Sequence, residues 1–246
     1  MRFVFTGCVV LILSVSLSSM GLFADAPPAK KTPAEASAAK DALAKFNDWV
    51  GEWRGVGQPQ RGSRRGAWLE TAEWVWDFDP EPALVWNVSK GKLVESARLT
   101  WDAKGQTYRL MVSLPNNAKR TYVGKLSDDE LVMESPVEDE LVYRVSFRAL
   151  NEKRMLALFE TQTPGQSFTT RVAEVGYTRK GTRLAAGPSG PECIVTGGLG
   201  TIKVSYQGDT YYVCCTGCKQ AFDDDPASFV DAYKQKRAEK SQREPK

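Results

Sequence analysis

From Gly51 to Arg179 apolar and polar residues alternate with period two in short runs, and turn-forming residues interrupt those runs at intervals of roughly ten. Successive side chains of a strand point to opposite faces, so each run presents one apolar face, and runs joined by short turns pair antiparallel. Trp74, Trp76 and Phe78 share one face of such a run, with Glu73, Val75, Asp77 and Asp79 on the other. Leu93, Glu95, Ala97, Leu99 and Trp101 alternate with Val94, Ser96, Arg98 and Thr100, and Tyr108, Leu110, Val112 and Leu114 repeat the pattern. Further runs cover about 120–126, 130–135, 140–148, 153–161 and 167–179. Turn residues fall between them, at Asp102-Ala103-Lys104-Gly105, Pro115-Asn116-Asn117, Ser127-Asp128-Asp129, Asn151-Glu152-Lys153 and Pro164-Gly165. About ten strands with no helix between them must deal with two unpaired edges, and closure removes both. The pattern therefore predicts a mainly β fold, an antiparallel meander barrel over residues 35–180.

A helix should precede the barrel. Thr32 suits an N-cap, Pro33 the first helical position and Glu35 the third, while Leu43, Phe46 and Val50 fall at i, i+3 and i+7. Ahead of it, residues 27–34 form a Pro- and Lys-containing flexible spacer. Residues 1–26 begin Met1-Arg2, run apolar from Val4 to Leu17 and reach small residues at Ala24-Asp25-Ala26, the pattern of a signal peptide. The run is shorter than the ~20 residues a membrane span needs and is broken by serines, so no stable membrane anchor is expected. The mature chain should be exported, to a periplasmic or extracellular space.

The 246 residues contain no histidine. Imidazole is the usual general base near neutral pH and the commonest metal ligand, so Ser-His and Cys-His catalysis and histidine-held haem are excluded. No nucleophile and base pair can be assembled, and the chain is not expected to be an enzyme. Lys+Arg 33 against Asp+Glu 30 leaves a net charge of +3, too little for a surface that tracks phosphates. Nucleic acid is set aside as a partner.

Residues 181–191 lose all periodicity and concentrate Gly, Pro and Ala, marking a linker. Beyond it, Cys193, Cys214, Cys215 and Cys218 crowd one segment, 192–236, whereas the barrel region has no cysteine. Ile202, Val204 and Tyr206 alternate, Gln207-Gly208-Asp209 turns, and Tyr211 and Val213 return, so a β-hairpin can bring Cys193 beside Cys214. Helical spacing resumes from Phe222 to Tyr233, interrupted at Pro226, and residues 237–246 read as a charged, disordered tail. Thiolates suit soft or borderline ions such as Cu(I) and Zn(II), and Cys218 near a helix N-terminus gains stabilisation of its ionised form. Cys215 has two readings: a fourth sulfur through Cys215-x2-Cys218, or an outward-pointing side chain, because neighbours on an extended segment face opposite ways. A pair of structural disulfides is the competing account of four exported cysteines, although two bridges in so short a segment are hard to form.

The run Tyr211-Tyr212-Val213-Cys214, Cys218, Phe222 and Pro226, with Cys193 upstream, resembles the TRASH motif and its neighbour the YHS domain. That resemblance implies heavy-metal binding in sensing, resistance or trafficking, with Cys193, Cys214 and Cys218 as ligands of one transition-metal ion, Zn(II) or Cu(I). Gly51-Glu52-Trp53 resembles the Gly-x-Trp signature of lipocalin-like barrels, where a preceding helix closes one end and an Arg of the last strand packs over the Trp; Arg179 or Arg183 would take that part. Fatty-acid-binding and nitrobindin-like barrels are similar in strand count. A barrel of this size can enclose a small apolar ligand, for which Trp86, Tyr108 and Phe147 are the candidate contacts, while Trp74, Trp76 and Trp101 are assigned to the core. Asp223-Asp224-Asp225 reads as capping charge before the last helix or as auxiliary oxygen donors. The leading expectation is an exported metal-binding protein; the alternative is a carrier of a small apolar ligand whose cysteine segment is disulfide-bonded. The protein partner is left open.

Overall fold

Ten antiparallel strands close on themselves in the computed structural model, which describes residues 32–181 and 190–243, with side chains described to Glu239. The expected signal peptide, most of the spacer and the greater part of the linker lie outside these residues, as does Arg183. The strands are β1 (Gly51–Gln58), β2 (Trp68–Asp77), β3 (Ala83–Ser89), β4 (Ser96–Asp102), β5 (Thr107–Ser113), β6 (Lys119–Ser127), β7 (Glu130–Glu138), β8 (Leu141–Asn151), β9 (Arg154–Gln162) and β10 (Thr170–Arg179). Each pairs with its neighbour in sequence, and β10 returns to β1 with Trp53 opposite Arg179. No barrel strand is left with an open edge.

Alternation decides what fills the interior. Trp68, Glu70, Ala72, Trp74 and Trp76 of β2 point inward and are buried, whereas Leu69 on the other face is exposed. The inward aromatics interlock: Trp74 and Trp86 stack with centroids 5.2 Å apart, and Phe147 meets both edge-on at 5.8 and 5.3 Å. Tyr108 packs on Phe46 at 5.0 Å and on Trp101 at 4.7 Å, and donates its hydroxyl to Ala42 O at 3.0 Å. Trp86, Tyr108 and Phe147 thus belong to one continuous aromatic packing. The buried Glu70 carboxylate accepts from Trp68 Nε1 and from the Tyr177 hydroxyl, so its burial leaves neither oxygen bare.

α1 (Pro33–Ala44) begins with a full capping box, Glu35 N donating to Thr32 Oγ1 at 3.3 Å and Thr32 N to Glu35 Oε2 at 2.9 Å. The helix ends sooner than the Leu43, Phe46, Val50 spacing implies, because Phe46 leaves the helical region (φ −102°, ψ 18°) and a 3-10 turn follows over Asn47–Trp49. That tighter turn swings Trp49 inward, 5.2 Å from Trp74 and 5.3 Å from Phe147, so α1 and the turn cover one barrel end. There Arg179 lies 4.3 Å over the Trp53 ring and donates to the carbonyls of Val50, Asp48 and Glu152, tying the last strand to the first. The opposite mouth holds a cavity of about 350 Å³ bordered by Leu93, Leu114, Tyr122, Tyr143, Arg144 and Phe159.

After the linker come β11 (Ile202–Tyr206) and β12 (Asp209–Val213), joined by Gln207 and Gly208 at φ 53° and 87°. Two consecutive positive φ values make the tight mirror-image turn that matches strand twist, and glycine adopts its half without steric cost. α2 (Thr216–Asp224) and α3 (Pro226–Arg243) follow; Asp225 caps α3 by accepting from Ser228 N at 3.2 Å, and α3 continues past the expected end of the segment at 236. No described helix is long and apolar enough to cross a membrane. Barrel and cysteine segment contribute to one contiguous set of buried side chains, Trp76 to Cys218 included.

Candidate metal centre

Three local structures converge. The loop from Pro191 to Gly200 folds back on itself through Cys193 N to Gly198 O (2.6 Å), Gly197 N to Cys193 O (2.8 Å) and Gly200 N to Pro191 O (2.7 Å). Ile194 N then donates to Tyr212 O at 2.9 Å, laying the loop along β12, and this brings Cys193 to Cys214, one residue beyond the strand. Cys215 is the N-cap of α2, and Cys218 stands in its first turn. The hairpin expected between the first and second thiols is therefore the device that joins them.

Cys193, Cys214 and Cys218 offer sulfurs that all lie within 4.8 Å of one another. Two sulfurs each held about 2.3 Å from one ion stand at most about 4.6 Å apart, so movements of a few tenths of an ångström suffice for shared coordination. Cys214 Sγ and Cys218 Sγ are 3.4 Å apart. All four cysteines among the described residues are free and buried, with Cys218 fully shielded at 0% exposure. The thiols polarise each other strongly. Hydrogen bonds from Cys214 and then Cys218 hold Cys193 down at about 2, while burial first and then its sulfur neighbours push Cys218 well above the ordinary thiol range. A positive ion in their midst relieves this competition for protons, since it allows every ligating thiol to ionise.

Cys215 diverges from the triangle. Its backbone is extended (φ −156°, ψ 175°), and its sulfur sits at the barrel side of the cluster, beside Cys214 and Cys218 but outside the set of mutually close sulfurs. Its Sγ lies 4.0 Å from Cys214 Sγ and accepts the backbone N–H of Trp76, at the end of β2, at 3.3 Å. Two further residues were not legible as site residues. Thr196 Oγ1 stands 3.5 Å from Cys193 Sγ, 3.5 Å from Cys214 Sγ and 4.0 Å from Cys218 Sγ. Asn47 bridges the two halves: its Nδ2 donates to Thr196 O at 2.7 Å and its Oδ1 accepts from Trp76 Nε1 at 3.1 Å. Its place three residues after Cys193 is the one signal that could have found Thr196; nothing local marks Asn47, whose contact depends on tertiary docking.

Lys40 of α1 borders a cavity of about 320 Å³ beside Cys193 and Thr196, with its ammonium 5.5 Å from the Phe229 ring centroid. Burial lowers its pKa, opposed by the nearby Cys218, Asp41 and Cys193. The acidic run Asp223–Asp225 is exposed on α2 and its end, where Asp223 pairs with Lys219 and Asp225 caps α3.

No curated protein matches the chain. A crystal structure of a protein of unknown function from the DUF3598 family of Nostoc punctiforme is 15% identical, with a TM-score of 0.29, and the match covers 55% of this chain and 48% of that one. The aligned part thus spans about half the length of that protein. Residues 200–233, which carry Cys214, Cys215 and Cys218, match the YHS domain, so the chain joins a closed ten-stranded barrel to a YHS-like segment and a buried cysteine cluster.

Proposed function

We propose that this is an exported, non-catalytic protein that binds one transition-metal ion, Cu(I) or Zn(II), through Cys193, Cys214 and Cys218, and that serves metal trafficking or resistance. One observation carries the reading: three buried, unbridged sulfurs lie within 4.8 Å of one another, two of them, those of Cys214 and Cys218, inside the segment 200–233 that matches the YHS domain. Sulfur-only donors select thiophilic ions over Mg(II) or Ca(II), whose ligands are oxygens. The cavity beside Cys193 supplies an approach for an ion or for the thiol of a delivering partner. Export rests on the apolar run Val4 to Leu17 and on Ala24-Asp25-Ala26. The non-catalytic reading rests on the count of zero histidines. Elemental analysis of the reduced full chain, with a thiol count on the same sample, should give one Cu or Zn per chain, lost in Cys218→Ser. Reduced wild-type chain that retains no ion sinks the reading.

The cavity at the open barrel mouth supports a second reading, carriage of a small apolar ligand against Leu93, Leu114, Tyr122 and Phe159. Organic extraction of purified protein should then yield a stoichiometric ligand whether or not Cys218 is intact.

A further inference from the structure

Four buried thiols in one cluster suggest a four-sulfur site, yet the barrel holds one of them apart. We infer that Cys215 is a docking residue, bound to strand β2 and withheld from the ion, so that the centre takes three sulfurs and is specific for Cu(I) over Zn(II). The inference rests on the metal-binding reading above and narrows it.

Three observations place Cys215 with the barrel. Its Sγ accepts Trp76 N–H at 3.3 Å, a contact across 139 residues of sequence. The start of α2 presses so closely on the same strand end that a Cβ added at Gly217 would stand 1.5 Å from Trp76 O. Asn47 closes the junction from the other side, linking Trp76 Nε1 to the Thr196 carbonyl. Cys215 Sγ is 4.0 Å from Cys214 Sγ, and turning it further, to face the centre of the three mutually close sulfurs, would leave the Trp76 N–H buried without a partner, at a cost of about 1–3 kcal/mol. The set of mutually close sulfurs is Cys193, Cys214 and Cys218, without Cys215.

A three-sulfur site discriminates between ions. Zn(II) in closed protein sites is almost always four-coordinate, whereas Cu(I) accepts three thiolates. The donor that would complete a tetrahedron is the one β2 holds. The side chain facing all three sulfurs is the Thr196 hydroxyl, a neutral group that donates to Cys193 Sγ and accepts from Cys218 Sγ.

X-ray absorption on the reduced, Cu(I)-loaded full chain should show three sulfurs around copper in wild type and in Cys215→Ser alike. Competition with a Cu(I) chelator should give the same affinity for both, and a large loss for Cys218→Ser. An excess of Zn(II) should fail to displace the copper. Four sulfurs in wild type falling to three in Cys215→Ser would overturn this inference and leave the metal-binding reading standing, as would displacement of copper by Zn(II). Failure of the reduced chain to retain any added ion would overturn both. Should Cys215→Ser not fold, Cys215→Ala and the wild-type sulfur count decide the matter.

Discussion

Thr196 Oγ1 touches three sulfurs at once, so its removal alters the whole cluster while deleting no ligand. Thr196→Val should weaken ion retention by about 10- to 100-fold, as loss of a ligand-orienting hydrogen bond does elsewhere, and chelator competition reads it directly. An unchanged affinity would reduce Thr196 to a space-filler. Tyr177 carries a different prediction. Burial and then Glu70 raise its pKa well above 10.0, so the folded state favours the protonated phenol. That contribution is fully present below the unfolded value of about 10 and is lost as pH rises through the folded one. Denaturant midpoints should therefore fall above about pH 10 in wild type, and the fall should flatten in Tyr177→Phe, which at neutral pH loses about 1–3 kcal/mol because the buried Glu70 carboxylate loses a donor. The clustered cysteines were readable because a motif holds them at set offsets. Asn47, Trp76 and Lys40 were not, because their roles exist only once α1 and β2 meet a segment more than a hundred residues away.

At the level of elements, the start of α2 and the end of β2 form a junction with no spare volume. Gly217→Ala forces a Cβ onto the Trp76 carbonyl and should cost about 1–3 kcal/mol through overpacking, with faster modification of the Cys215 thiol as the local readout. Slow modification with unchanged stability would show that the junction yields freely. Strands were legible for a simple reason: a period of two survives every twist of a barrel, and closure left the inward faces mainly apolar, with Glu70 of β2 an exception. The end of α1 was not, because Leu43, Phe46 and Val50 are buried whether the chain continues as helix or tightens into a 3-10 turn. Spacing reports which side chains go inside and is silent on how the backbone delivers them. The hairpin carried its own marker in Gln207-Gly208, and only its inner boundary shifted, with Asp209 pairing opposite Tyr206 instead of turning.

For the whole molecule, one contiguous core spans the barrel and the cysteine segment, so the two should unfold together. An ion that binds only the folded chain then stabilises the barrel as well. At a free concentration a hundred times its Kd the gain is about 2.7 kcal/mol, a rise in Tm of roughly 5–10 °C in a single transition. Two separated transitions, with the ion moving only one, would contradict a shared core. The junction at Trp76 has an optical corollary. Its backbone amide is bonded to a cluster sulfur and its indole to Asn47, while its ring lies parallel to Phe78 at 5.4 Å. Indole emission is sensitive to such surroundings, and filling the neighbouring cluster should change the protein's intrinsic fluorescence in proportion to occupancy, a change that Trp76→Phe should largely abolish. The barrel wall would then serve as an optical gauge of the cluster, and a fluorimeter suffices to follow an added ion as it fills the site.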